Sequence, residues 1–129
     1  MKYKFEIKHR LPSFNEYTNS CRRNRYAGAN MKKDIEQDIY IYILEQLRNL
    51  KIRKPVKITF TWVEENKRRD LDNICFAKKF ILDALQKAEV LENDNSAHVK
   101  GFVDNFEYAN EGKVIIELEE IQWTNLKKV

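Results

Sequence analysis

Two hydrophobic periods meet in the middle of this chain, and their junction constrains the fold more than any other feature. Over residues 31–50, Ile35, Ile39, Ile43, Leu47 and Leu50 recur at helical spacing while Lys32, Asp34, Glu36, Asp38, Glu45 and Arg48 supply a polar side. That pattern predicts an amphipathic helix. The following "PVKITFTW" switches to alternation, with Val56, Ile58, Phe60 and Trp62 on one side, the period of a strand with one buried face. A helix with one apolar stripe and a strand with one apolar face bury them against each other as layers around a shared core.

The remaining text extends the same scheme. "KYKFEI" alternates Tyr3, Phe5 and Ile7 and predicts a first strand. Ile74, Ala77, Ile81, Ala84, Leu85 and Ala88 form one broad stripe, predicting a second helix over residues 73–88. Phe76 and Phe80 fall outside that stripe and call for cover from a loop or a partner subunit. Strands are predicted near residues 99–103 and over 113–121. The expectation is an α+β domain spanning 1–129, with two helices packed on one face of a small mixed or mostly antiparallel sheet, in the order β-α-β-α-β-β. Residues 11–30 are broken by Pro12, Asn15, Asn19, Asn24 and Gly28. They predict a long loop, of the kind proteins keep for gripping a ligand.

Charge is dense, at 34% of residues, and unevenly placed. Residues 1–60 carry 14 Lys and Arg against 6 Asp and Glu, whereas residues 61–129 carry 10 against 14. The basic half contains "CRRNRY", with Arg22, Arg23 and Arg25 beside Tyr26, followed by Lys32 and Lys33. Cations interleaved with an aromatic suit a phosphate backbone and a base, though they equally suit a solvated loop and helix face. Cys21 and Cys75 are the only cysteines, too few for a disulfide framework or a cysteine-based zinc site, so reduced thiols in a cytoplasmic protein are expected. No apolar run is long enough for a membrane span, and "MKYKFEIKHR" lacks the apolar centre of a signal peptide.

The most chemically loaded stretch is "NKRRDLDN", which sets Lys67, Arg68 and Arg69 against Asp70 and Asp72. In extended backbone the two aspartates, two residues apart, point the same way and can share a cation. A hard ion such as Mg²⁺ binds through one or two carboxylates and fills its other positions with water and phosphate oxygen. The plainer alternative is that Asp72 or Asn73 caps the helix that follows. Asp94, in the turn "END", offers a third carboxylate or serves as an ordinary turn residue. His98, four residues beyond it, is either a packed side chain or a base.

"RRDLDN", a helix with Lys four residues before "DAL", and "VLENDN" together resemble the RusA family of Holliday junction resolvases, as does "LPSFNEYTNSCRRNRY" near the N-terminus. The likeness spans residues 11–102. It implies a homodimeric endonuclease that uses Mg²⁺, or Mn²⁺ in its place, to cut four-way DNA junctions. By position it makes Asp70, Asp72 and Asp94 the metal-binding acids, Lys79 the catalytic lysine with Lys78 as the alternative, and Arg69 the basic residue beside the first acid. Arg22, Arg23, Arg25, Lys32, Lys67, Arg68 and Arg69 are then the DNA-contacting cations. Three departures are visible: Asn73 and Lys79 stand three residues further apart than in the best-known members, Asn93 replaces a second acid, and His98 in "SAHVKGF" stands where a Gln or Lys is commoner. An architectural junction-binding protein without turnover, or a metal-dependent nuclease acting on flaps or RNA, are the competing expectations.

Overall fold

The computed structural model describes residues 1–121; the expected domain runs on through 122–129, which lie outside the described residues. Along the chain come β1 (Lys2–Ile7), α1 (Phe14–Arg23), α2 (Arg25–Leu47), β2 (Val56–Glu64), α3 (Leu71–Cys75), α4 (Lys78–Lys87), β3 (Val99–Tyr108) and β4 (Lys113–Glu120). The fold is α+β. The expected order β-α-β-α-β-β holds when each helical block is taken as one, but each block consists of two helices.

The four strands lie in the order β1-β4-β2-β3, with β2 and β3 parallel and the other two pairs antiparallel. The register aligns the alternating apolar residues in rows. Phe5, Ile116, Phe60 and Asp104 stand side by side across the sheet, and the next row joins Ile7, Val114, Trp62 and Phe106. Helices cover this face, where Phe5, Ile7, Ile58, Phe60, Trp62, Val114, Ile116 and Leu118 are all buried against Ile39, Ile43, Ile81 and Leu85. Each such side chain withdrawn from water contributes about 1.5–3 kcal/mol. Asp104 is the one carboxylate in those rows, at the β3 edge.

Residues 11–30 are the main correction to the sequence reading: they are mostly helical and not a loop. Ser13 caps α1 in a reciprocal arrangement with Glu16, each side chain meeting the other's backbone N–H. Asn24 acts as a hinge rather than a breaker of structure. Its backbone is extended, and its side chain accepts hydrogen bonds from the Tyr26 and Ala27 N–H groups, which starts α2 at once. The α1–α2 hairpin is tight enough that a Cβ on Gly28 would lie 2.5 Å from Cys21 Sγ.

The second expected helix is also divided. Between α3 and α4 the backbone tightens, with Ala77 N–H bonded to Ile74 O, Lys79 N–H to Phe76 O and Phe80 N–H to Ala77 O, each three residues back. Ile74, Ala77, Ile81, Ala84 and Leu85 remain buried as the stripe required. Phe76 and Phe80 are covered from within the chain. Phe14 meets Phe76 edge-on at 4.9 Å, and Tyr17 meets Phe80 at 5.5 Å, so α1 closes the second side of this block and no partner subunit is needed to do so.

Candidate active site at the start of α3 and α4

Asp70 occupies the N-cap position of α3 in extended backbone, yet its side chain makes no capping hydrogen bond. The cap expected at Asp72 or Asn73 thus falls at Asp70 instead, and capping does not account for the Asp70 oxygens. Asp72, in the first turn, accepts only from the adjacent Asn73 N–H at 3.0 Å. Both carboxylates are exposed.

Arg69 turns the other way. Its Nη1 pairs with Glu64 Oε1 at 3.2 Å, its Nη2 donates to the Leu11 carbonyl at 2.8 Å, and its side chain is only 12% exposed. Burial raises the Glu64 carboxyl above its ordinary range, and Arg69 works against that rise. The arginine thus ties the acidic turn to β2 and to the segment before α1. Lys67 and Arg68 stay exposed, with the Lys67 ammonium 5.3 Å from the Tyr108 ring centre.

The adjacent lysines Lys78 and Lys79 go to different acids. Lys79 Nζ lies 2.8 Å from Asp94 Oδ2 and 3.2 Å from Asp83 Oδ1, with 61% of its side chain exposed. The hydrogen bond to Asp94, then that to Asp83, raises Lys79 above the usual lysine value; the same bond holds Asp94 below the usual carboxylate value. Asn93 shapes the turn, its side chain accepting from the Asp94 and Asn95 N–H groups. Lys78 Nζ instead pairs with Asp104 at 2.7 Å and lies 4.7 Å from the Phe102 ring centre. Trp62 donates its indole N–H to the other Asp104 oxygen at 2.9 Å.

Asp104 was not found by the sequence reading, which ended that strand at Val103. The available signal was an acid between Phe102 and Phe106 at alternating positions, where an apolar residue is expected and a buried partner is required. His98 is held between Asn95 at 2.9 Å and Glu92 at 3.3 Å and packs the loop.

Among the basic residues, Arg22 and Arg23 end α1, and Arg25 begins α2 with its guanidinium 5.0 Å from the Tyr26 ring centre. All three are exposed, as is Tyr26. Lys32 reaches further inward, 3.9 Å from Asp83, and so adjoins the Lys79 cluster. The structure brings together Lys79, Asp94, Asp83 and Lys32. Asp70 and Asp72 project from the neighbouring α3 start, and among the described residues no three His, Cys, Asp or Glu side chains converge as a metal-binding group. The donors themselves are all carboxylate oxygens, which in kind suit a hard cation.

Residues 4–119 match the family model described as endodeoxyribonuclease RusA. The chain belongs to the RusA family. It is therefore an endonuclease acting on DNA, and RusA membership implies resolution of Holliday junctions, hence a branched DNA substrate. No curated protein matches the chain. No helix among the described residues is long and apolar enough to cross a membrane.

Proposed function

We propose that the protein is a Mg²⁺-dependent, structure-selective endonuclease that resolves four-way DNA junctions by cutting opposing strands, and that it works as a homodimer in the cytoplasm. The observation that carries this reading is the 2.8 Å contact of Lys79 with Asp94. It joins the helix lysine to the third acid although they stand 15 residues apart in sequence. Support for the dimer comes from α2, which leaves Ile41 47% and Leu44 42% exposed.

In this reading Asp70, Asp72 and Asp94 hold a divalent cation, with Mn²⁺ able to replace Mg²⁺. Such an ion, when bound, acidifies a coordinated water and offsets phosphate charge. Lys79 places positive charge at the phosphoryl oxygens as the water oxygen bonds to phosphorus and the bond to the 3′ oxygen breaks. Arg69 lends charge from behind the aspartates while fixing their turn through Glu64 and Leu11. Arg22, Arg23, Arg25 and Lys32, with Lys67 and Arg68, bind the backbone of the junction arms. Lys78, fixed on Asp104, is structural.

The test compares a synthetic four-way junction with a matched linear duplex, each with Mg²⁺ and with EDTA, for the wild type and for Asp70→Asn and Asp94→Asn. Cleavage confined to the junction, requiring Mg²⁺ and lost in both variants, is expected. Cutting that survives EDTA or both substitutions overturns the metal-site assignment, equal cutting of the duplex overturns junction selectivity, and binding without cutting favours an architectural role.

A further inference from the structure

Asp83 is outside the set of acids assigned above, yet it has more charged neighbours than any of them. On α4 it stands one turn beyond Lys79, with Oδ1 3.2 Å from the Lys79 ammonium. Lys32 of α2 approaches its other oxygen at 3.9 Å. Glu36, one turn along α2 from Lys32, flanks it: Lys32 Nζ lies 4.0 Å from Glu36 Oε1, an oxygen that is buried without a hydrogen-bond partner among the described residues. Burial, with Asp83 adding to it against Lys32 and Lys87, holds Glu36 above the usual carboxylate range.

Asp83 also differs from Asp94 in what holds it. Asp83 belongs to a regular helix packed on α2, with Ile81, Leu82, Ala84 and Leu85 buried on either side of it. Asp94 belongs to a turn in which the Asn93 side chain accepts hydrogen bonds from the Asp94 and Asn95 N–H groups. A lysine held only by Asp94 would lose its sole anchor whenever that carboxylate took another partner. The ammonium is held from two sides, of which only the Asp83 side is set in a packed helix.

We propose that Asp83 is the positioning residue of Lys79: it keeps the ammonium at the start of α4 when Asp94 is engaged elsewhere, so that the cation remains available to the phosphate. This rests on the reading of Lys79 as the active lysine. Asp83 touches no substrate atom and acts only through Lys79. Geometric support of this kind is worth much in catalysis, because a misplacement of about 1 Å can cost on the order of 100-fold in rate.

The experiment uses the full chain and has two readouts. Single-turnover cleavage of a four-way junction reports the chemistry, and the acetylation rate of Lys79 relative to Lys57, measured by mass spectrometry on metal-free protein, reports how firmly the ammonium is held. For Asp83→Asn we expect cleavage to fall by about tenfold or more, junction Kd to stay unchanged, and Lys79 to acetylate several times faster relative to Lys57. An unchanged cleavage rate, or an unchanged relative reactivity of Lys79, overturns the proposal. Lys79→Ala separates this from the underlying reading: cleavage at the wild-type rate in that variant removes Lys79 from the chemistry whatever Asp83 does to its reactivity. Where Asp83→Asn does not fold, Asp83→Glu is the substitute. It keeps a carboxylate four residues after Lys79 and is expected to retain most of the rate with Lys79 still protected; loss of rate with Lys79 fully protected overturns the proposal.

Discussion

Lys78 Nζ lies 2.7 Å from Asp104 Oδ2 across the contact between α4 and β3, with only 20% and 25% of the two side chains exposed. Its neighbour Lys79 is 61% exposed. Two adjacent lysines thereby face different acids, one covered and one open to solvent. Lys78→Ala leaves a largely covered carboxylate with the Trp62 indole as its remaining partner and is expected to cost about 1–3 kcal/mol of stability, read as a lowered Tm with cleavage by the folded fraction retained. Lys79→Ala is expected to abolish cleavage with little change in Tm. The reverse pattern would exchange their roles.

Glu36 gives the stability curve a definite sign. Its folded value is raised, chiefly by burial, so between the ordinary glutamate value of 4.5 and the raised one the folded chain holds more protons than the unfolded chain. Its contribution is fully present below that window and is lost as pH rises through it. Glu36→Gln removes the titration. Thermal melts at stepped pH are expected to show the wild type losing stability relative to the variant as pH rises above the ordinary glutamate value of 4.5, and parallel curves would refute this.

Gly28 makes the α1–α2 hairpin possible through close approach. Gly28→Ala would place Cβ 2.5 Å from Cys21 Sγ and 3.2 Å from Cys21 Cα. The expected loss is about 1–3 kcal/mol from overpacking, read by denaturant unfolding. Cys21→Ala in the same chain removes the sulfur and recovers part of the loss, an interaction that a double-mutant cycle isolates.

Arg23 ends α1 among exposed cations. As a phosphate contact, Arg23→Ala is expected to weaken junction binding evenly across sequences and to reduce the slope of log Kd against log salt by about one. Electrophoretic mobility shifts over a salt series measure this, and an unchanged slope removes Arg23 from the interface.

What the sequence made legible was what repeats. The stripe of Ile35, Ile39 and Ile43 and the alternation of Ile58, Phe60 and Trp62 recur often enough to define a helix and a strand, and both elements are present with those faces buried. The α1–α2 hairpin was hidden because its determinants occur once each. Asn24 reads as a breaker of periodicity until its side chain is seen accepting two N–H groups, and Gly28 reads as a turn until Cys21 is found beside it. Asp70, Asp72 and Asp94 are legible as a carboxylate set in their own right and Lys79 through a resemblance of spacing, but most partners of Lys79 and Arg69 depend on which elements cross. Glu64, Asp94 and Leu11 meet those side chains only because β2, the turn after α4 and the segment before α1 come together in the fold; the Lys79–Asp83 pair, four residues apart on one helix, is the contact that local spacing does carry.

The tightened turn between α3 and α4 bears on the three extra residues that the family resemblance counts between Asn73 and Lys79. With hydrogen bonds spanning three residues, the backbone completes about one revolution per three residues and advances roughly 2 Å with each. An insertion of that length is then a full rotation: the chain emerges further along its axis but with the same angular phase. With Lys79 proposed as the active lysine, such a site would have to preserve the bearing of that side chain about the helix and not the number of residues that precede it.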